Sequence, residues 1–147
     1  MYNLHQDKLL IASHNEGKIS EFRELLGLLK IDILSSKELK LPEPVEDGQT
    51  FEENALIKAK SASDLSNLIS LSDDSGIEID ALDKQPGIYS ARWAGPNRDF
   101  DFAMREVTRL LDEKKIPIAE RTARFVCALC LFYPNGEYHF FVGKVEG

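Results

Sequence analysis

Two aspartates, Asp73 and Asp74, stand side by side in "LSDDSGIEIDAL" (71–82), with Ile69 and Leu71 alternating before them and Ile77 and Ile79 after. Alternation of this kind predicts strand, and the Asp-Ser-Gly step predicts a turn. The chain is therefore expected to rise along one strand, place two carboxylates at its end, turn through Asp73–Gly76 and return. This feature constrains the fold because both flanks require a sheet to pair with. It also raises a chemical question, since neighbouring carboxylates disfavour each other's ionised form unless a cation lies close.

The rest of the chain supplies that sheet. "KLLIAS" (8–13) predicts a first strand and "NEGKISEFRELLGLLK" (15–30) a helix, with Ile19, Phe22, Leu25, Leu26 and Leu29 on the helical period. "IDIL" (31–34) predicts a second strand, and "LPEPVEDGQ" (41–49), with two prolines and a glycine, a loop. A second helix is expected from about Phe51 to Leu65, and "LISLS" (68–72) is the strand that leads to the aspartates. Residues 83–97 are rich in turn formers, and 99–115 predict a third helix with Phe102, Val107, Leu110 and Leu111 inward. "TARFVCALCLFY" and "EYHFFVGKVE", joined by "PNG", predict a long hairpin. Helices alternating with strands and ending in a hairpin predict one α/β domain on a mixed sheet. Ligands of such sheets gather at the carboxyl ends of strands, where the Ser13–Lys18 and Asp73–Gly76 turns are expected.

Charge narrows the partners. The 147 residues carry a net charge of −7, which argues against a nucleic-acid polymer or an anionic membrane as partner but leaves room for a nucleotide brought in with a divalent metal. No apolar run has the length of a membrane span, and "MYNLHQDKLL" has no signal-peptide pattern, so a cytoplasmic protein is expected. Cys127 and Cys130 form a C-x-x-C, but residues three apart on a strand point to opposite faces. No second Cys or His pair completes a zinc site, so two buried, reduced thiols are expected.

Four stretches carry candidate chemistry. In "SHNEGK" (13–18), Asn15 or Ser13 can cap the first helix, which puts Lys18 in its first turn, where the helix dipole disfavours a cation. Either a phosphate bridges Lys18 and the free backbone N–H groups, or Lys18 is a solvated surface residue. In "TFEENALIKAK" (50–60), Glu53 fits a capping box with Thr50 but is also a candidate ligand, and Lys58 is a candidate cation or a solvated helix residue. The Asp73–Asp74 pair suits magnesium, which takes one or two carboxylates and fills its shell with water and phosphate oxygens; an exposed acidic turn is the alternative. In "PGIYSARWAG" (86–95), Arg92 is a candidate bidentate phosphate ligand or an arginine stacked on an aromatic ring.

Taken in order, S-x-N-x-x-K (13–18), T-F-x-E-N-A-x-x-K-A (50–59), D-D-S-G-I-x-I-D-A-L (73–82) and P-G-I-Y-S-A-R-W-A-G (86–95) resemble the inosine triphosphate pyrophosphatase family, from about Leu9 to Gly147. The resemblance implies an elongated α/β domain with a long central mixed sheet flanked by helices, two lobes and an active-site cleft, usually as a homodimer. It implies Mg²⁺-dependent hydrolysis of non-standard purine nucleoside triphosphates (ITP, dITP, XTP) to the monophosphate and pyrophosphate. Glu53 and Asp74 then correspond to metal ligands and Asp74 also to the general base. Ser13, Asn15, Lys18 and Arg92 correspond to triphosphate contacts, with Lys58 a further phosphate candidate. Ser75 and Gly76 lie beside the nucleotide, and Asp73 is the flanking carboxylate. His14 and Trp93 depart from the family's usual residues. Family members also continue past "FVGKVEG" with an F-G-Y-D-P segment and a Ser-His-Arg motif. The chain is thus expected to be a C-terminally truncated domain that keeps the metal and phosphate half of the site and lacks most of the base-reading half. Two further readings follow: a catalytically impaired nucleotide-binding fragment, and a pyrophosphatase for modified pyrimidine nucleotides.

Overall fold

The computed structural model describes residues 8–95, 97 and 99–147; the stretch up to Asp7, on which the signal-peptide reading partly rests, and Pro96 and Arg98 of the turn-rich segment lie outside them. The described chain is an alternation of strands and helices: β1 (Lys8–Ile11), α1 (Glu16–Leu26), β2 (Asp32–Ser35), α2 (Phe51–Ser66), β3 (Ile69–Ile79), β4 (Gln85–Pro86), α3 (Ser90–Trp93), α4 (Phe100–Glu113), β5 (Ala123–Phe132) and β6 (Tyr138–Glu146). The strands make a mixed sheet in the order β2-β1-β3-β5-β6, with the short β4 against β3. β1 pairs in parallel with both β2 and β3, and β3 pairs antiparallel with β4. The expected α/β fold with a central mixed sheet flanked by helices is borne out.

The chain divides into two compact units, the first made of the described residues up to Asp73 together with Ala128–Phe141, the second of Asp74–Cys127 with Val142–Gly147. In the first unit the strand period decides which helix each side chain meets. Leu9 and Ile11 of β1 cluster with Ile19, Phe22 and Leu26 of α1, while Leu10 and Ala12 cluster with Ala62 of α2. β5 follows the same rule: Leu131 and Tyr133 join the α1 cluster, and Cys130 and Phe132 pack on Ala55 and Ala59 of α2. In the second unit Ile79, Leu82 and Leu111 form the core, with Val107, Leu110 and Ala123 packed against them.

Several expectations need correction. The Asp73–Gly76 turn does not form; β3 runs unbroken from Ile69 to Ile79, because the pairing of its backbone with neighbouring strands outweighs the turn preference of Asp-Ser-Gly. The apolar stripe of α4 is Ala103, Val107, Leu110 and Leu111, which leaves Phe102 about 100° around the helix and exposed. Leu25 is likewise off the buried stripe of α1 and exposed. The described residues 83–95 of the turn-rich segment are more regular than their composition suggests, holding β4, a 3₁₀ turn (Gly87–Tyr89) and α3. The thiols are both free, yet Cys130 is buried and Cys127 half-buried, as their opposite faces require; burial pushes the Cys130 thiol up to about 11. The "PNG" hairpin forms, closed by Tyr133 N–H to the Glu137 carbonyl at 2.8 Å, with Gly136 at φ +95°.

In the second unit Arg124 on β5 gathers three carboxylates, Glu78 at 3.4 Å, Asp80 at 3.0 Å and Glu146 at 3.1 Å, and Thr122 donates to Asp80 at 2.7 Å. The Thr122 hydroxyl first and Arg124 second hold the Asp80 carboxyl below the usual carboxylate range. A depressed carboxylate stabilises the fold above its unfolded pKa of about 3.9, and that stabilisation is lost as pH falls through the lower folded value. Asp80→Asn is therefore expected to flatten the acid side of a stability–pH profile while changing its shape little above pH ~6, as read by urea denaturation at a series of pH values. For packing, Leu10→Ala at a 0 % exposed site is expected to cost about 3 kcal/mol, and Leu25→Ala at a 76 % exposed site under about 0.5 kcal/mol.

Candidate functional site

In the first unit, the β1–β3 pairing ends at Ile11 and Leu71, and the Ala12 N–H reaches the Leu71 carbonyl at 2.8 Å. Ser72 and Asp73 therefore lie just past the carboxyl end of β1, where the chain turns into α1. Asn15 caps that helix: its Oδ1 accepts from the N–H groups of Gly17 at 2.9 Å and Lys18 at 3.3 Å, and its own N–H donates to Ser13 Oγ at 3.0 Å. Capping thus takes up two of the amides expected to stand free for an anion. The Lys18 ammonium donates to Asp73 Oδ2 at 2.9 Å, from a side chain about a third exposed to a carboxylate that is nearly buried. Lys18 is therefore not the solvated surface residue that one expectation held it to be. A carboxylate removed from water demands such a partner, and the ion pair gives the cation at the positive helix end a local counter-charge.

A second cluster of polar contacts forms where the 41–49 loop enters α2. Thr50 caps the helix by accepting from the Glu53 N–H at 3.0 Å. Glu53 turns its Oε2 to the Gln49 N–H at 2.6 Å, one residue before the cap, so the expected capping box is present in shifted form. The buried Asn54 accepts from the Gly48 N–H at 2.9 Å, and Lys58 pairs with Glu46 at 3.4 Å. The approach at Gly48 is so close that a Cβ there would sit 2.7 Å from both Glu53 Cβ and Asn54 Oδ1, so no other residue fits without a shift. His14 holds the far end of the loop: its Nε2 donates to the Leu41 carbonyl at 2.7 Å and its Nδ1 lies 3.4 Å from Glu43. Neither the Gly48–Asn54 contact nor the tie made by His14 was expected from the sequence, where the pairing of a loop residue with a distant side chain leaves no local signal.

In the second unit, Asp74 and Ser75 are half-buried on β3 and Gly76 is buried. The next residue, Ile77, donates its N–H to Ser90 Oγ at 3.0 Å, and Ser90 in turn donates to the Gly87 carbonyl at 2.6 Å. Arg92 is exposed, and its guanidinium lies over the Tyr89 ring, 5.0 Å from the centroid. The stacked-arginine expectation is met. Ser90 went unassigned in the sequence; its place in "PGIYSARWAG" was its one signal.

Among the described residues, no three His, Cys, Asp or Glu side chains come together as a metal site. Single carboxylates such as Glu53 and Asp74 suit magnesium, which completes its shell with water and phosphate oxygens, and do not suit a cation that needs an all-protein cage.

The chain is similar in sequence and fold to known proteins. The Ham1 family model matches residues 9–147. The dITP/XTP pyrophosphatase of Brucella melitensis is 49% identical over 151 aligned positions, which cover 100% of this chain and 69% of that protein. That of Zymomonas mobilis is 49% identical over 144, covering 98% of this chain and 68% of its own length. Among solved structures, a HAM1 protein from Coxiella burnetii superposes with a TM-score of 0.86 at 36% identity, covering 95% of this chain and 71% of that one. The Staphylococcus aureus Ham1 protein gives 0.82 at 35% identity, covering 95% and 70%. The order of motifs, the mixed sheet and these matches agree: the chain belongs to the Ham1 family.

Proposed function

We propose that this chain hydrolyses non-standard purine nucleoside triphosphates, dITP, XTP and ITP, to the monophosphate and pyrophosphate. The observation that carries the reading is 49% identity, over the whole of this chain, to a protein that bears the name dITP/XTP pyrophosphatase. The reading extends to Mg²⁺ as cofactor and to a homodimer working in the cytoplasm. The free thiols of Cys127 and Cys130 suit a reducing compartment, and no described helix is long and apolar enough to cross a membrane.

In the reaction, water attacks the α-phosphorus, the bond from that phosphorus to the α–β bridging oxygen breaks, and the bridging oxygen leaves with pyrophosphate. Asp74 takes the proton of the attacking water on its carboxylate. Glu53 and Asp74 are the residues that would hold magnesium, whose charge, when bound, offsets that of the phosphates. Lys18 and Arg92 neutralise charge on the leaving pyrophosphate, and Asp73 keeps Lys18 at the start of α1. Ser13 and Asn15 contact the triphosphate from the same turn, Lys58 adds a cation on α2, and Ser75 and Gly76 lie beside the nucleotide. For the α2 residues the supporting feature is the cramped junction at Gly48, which fixes the first turn of the helix and with it Glu53.

The direct test is product analysis of ITP incubated with the chain and Mg²⁺. IMP with pyrophosphate is expected; IDP with phosphate, or no product, overturns the reading. Asp74→Asn is expected to lower kcat by at least about 100-fold with the melting temperature little changed, and near-normal turnover would remove Asp74 as base. Gly48→Ala should displace the loop from Glu53 and raise the Mg²⁺ concentration needed for half-maximal activity by several-fold, which a Mg²⁺ titration at fixed ITP measures.

A further inference from the structure

Ser90 has no part in the chemistry above, yet its hydroxyl both accepts and donates a hydrogen bond. It accepts from the Ile77 N–H at 3.0 Å and donates to the Gly87 carbonyl at 2.6 Å. Ile77 is the residue that follows Ser75-Gly76 on β3, and Gly87 opens the 3₁₀ turn that leads into α3. One side chain thus clips the start of α3 to the strand, across 13 positions of sequence.

The clip matters because α3 is too short to set its own place, although it packs beside β4 and α4 and is followed by the buried Ala94. It is four residues long, has no side-chain cap and buries none of its own residues. An isolated single turn is far from stable in water, so its place is set by contacts outside itself. Arg92 lies two residues beyond Ser90 and stacks on Tyr89, the residue just before it, so guanidinium and ring move with the segment that Ser90 anchors.

We propose that Ser90 is a positioning residue for Arg92, its hydroxyl locking α3 to β3 beside Ser75-Gly76 and so fixing where the guanidinium meets the phosphates. The inference rests on the pyrophosphatase reading for the ligand of Arg92. A long arginine on an unanchored turn must be ordered at each binding event; one on a clipped turn is ordered beforehand, and the gain falls on binding rather than on the chemical step.

The test is a double-mutant cycle of Ser90→Ala and Arg92→Ala, with Ser90→Thr, which keeps the hydroxyl, as rescue. Ser90→Ala is expected to raise KM for dITP about five-fold, the worth of one hydrogen bond, with kcat within about two-fold. Ser90→Thr should return KM to within about two-fold of the parent. In the Arg92→Ala background, Ser90→Ala should change KM by less than about two-fold. Trp93, the single tryptophan, sits in α3, and its emission in nucleotide-free protein should shift with Ser90→Ala and recover with Ser90→Thr. An equal penalty with and without the Arg92 side chain overturns the proposal and leaves Ser90 a structural staple. Unchanged KM in Arg92→Ala overturns it too. The same cycle read as affinity for inorganic pyrophosphate with Mg²⁺ by calorimetry needs no turnover. A chain that binds pyrophosphate without hydrolysing dITP fails the pyrophosphatase reading, while the affinities still decide Ser90 by the same additivity criterion.

Discussion

β3 has to keep its backbone in the sheet while carrying Ser70, Ser72, Asp73, Asp74 and Ser75 in a row broken only by Leu71, and the rest of the structure follows from how that is done. Ser70, Ser72 and Asp73 are buried, so each needs a partner or costs the fold its desolvation. The Ser72 hydroxyl donates to the Ala55 carbonyl of α2, and Asp73 accepts the Lys18 ammonium from α1. Ser72 and Asp73 thus become the strand's bonds to the two helices that cover the first unit, while Ser70 donates locally to the Leu68 carbonyl at 3.4 Å. A strand of aliphatic residues would pack there with less risk. The polar one is coherent if its carboxylates are needed for something other than packing.

The first turn of α2 shows the same economy. Asn54 and Glu53 use their side chains to hold the Gly48 and Gln49 N–H groups, Thr50 accepts from the Glu53 N–H, and Lys58 reaches back to Glu46. Each contact alone is the ordinary capping or surface pairing of a helix start, with a stability of order 1 kcal/mol or less. Together with the missing Cβ of Gly48 they fix the direction in which Glu53 leaves the helix. A carboxylate that must receive a cation gains more from a fixed direction than from added stability.

How far the sequence could be read depended on the range of the interaction. Caps are local, and Asn15 and Thr50 were legible from residues two and three positions away. The strand–helix alternation, the hairpin at "PNG" and the family motifs were legible too, because each is written within a single stretch. The course of β3 through Asp73–Gly76 was not, since Asp-Ser-Gly has turn propensity and the ladder that overrides it comes from strands far along the chain. Leu25 and Phe102 failed for a related reason: on a helix with several large apolar residues, the period allows more than one stripe, and the neighbouring core selects one. The Lys18–Asp73 pair joins residues 55 positions apart, and neither residue alone announces it.

The two cations of the candidate chemistry are restrained by different forces, and the difference bears on what each can do. Lys18 is held by a carboxylate, which cancels much of its charge at a distance but fixes its position at the start of α1. Arg92 lies over an aromatic face, which steadies the plane of the guanidinium. In a chain with a net charge of −7, long-range attraction of a polyanion is weak or adverse, so capture has to rely on such local charges. A lysine already paired must share itself between two anions, which costs less when the second arrives with its own metal. On the proposed pyrophosphatase reading, Lys18 therefore shares itself with the phosphates once the metal accompanies them, and the anchoring of the short helix beneath Arg92 bears on how the guanidinium meets them.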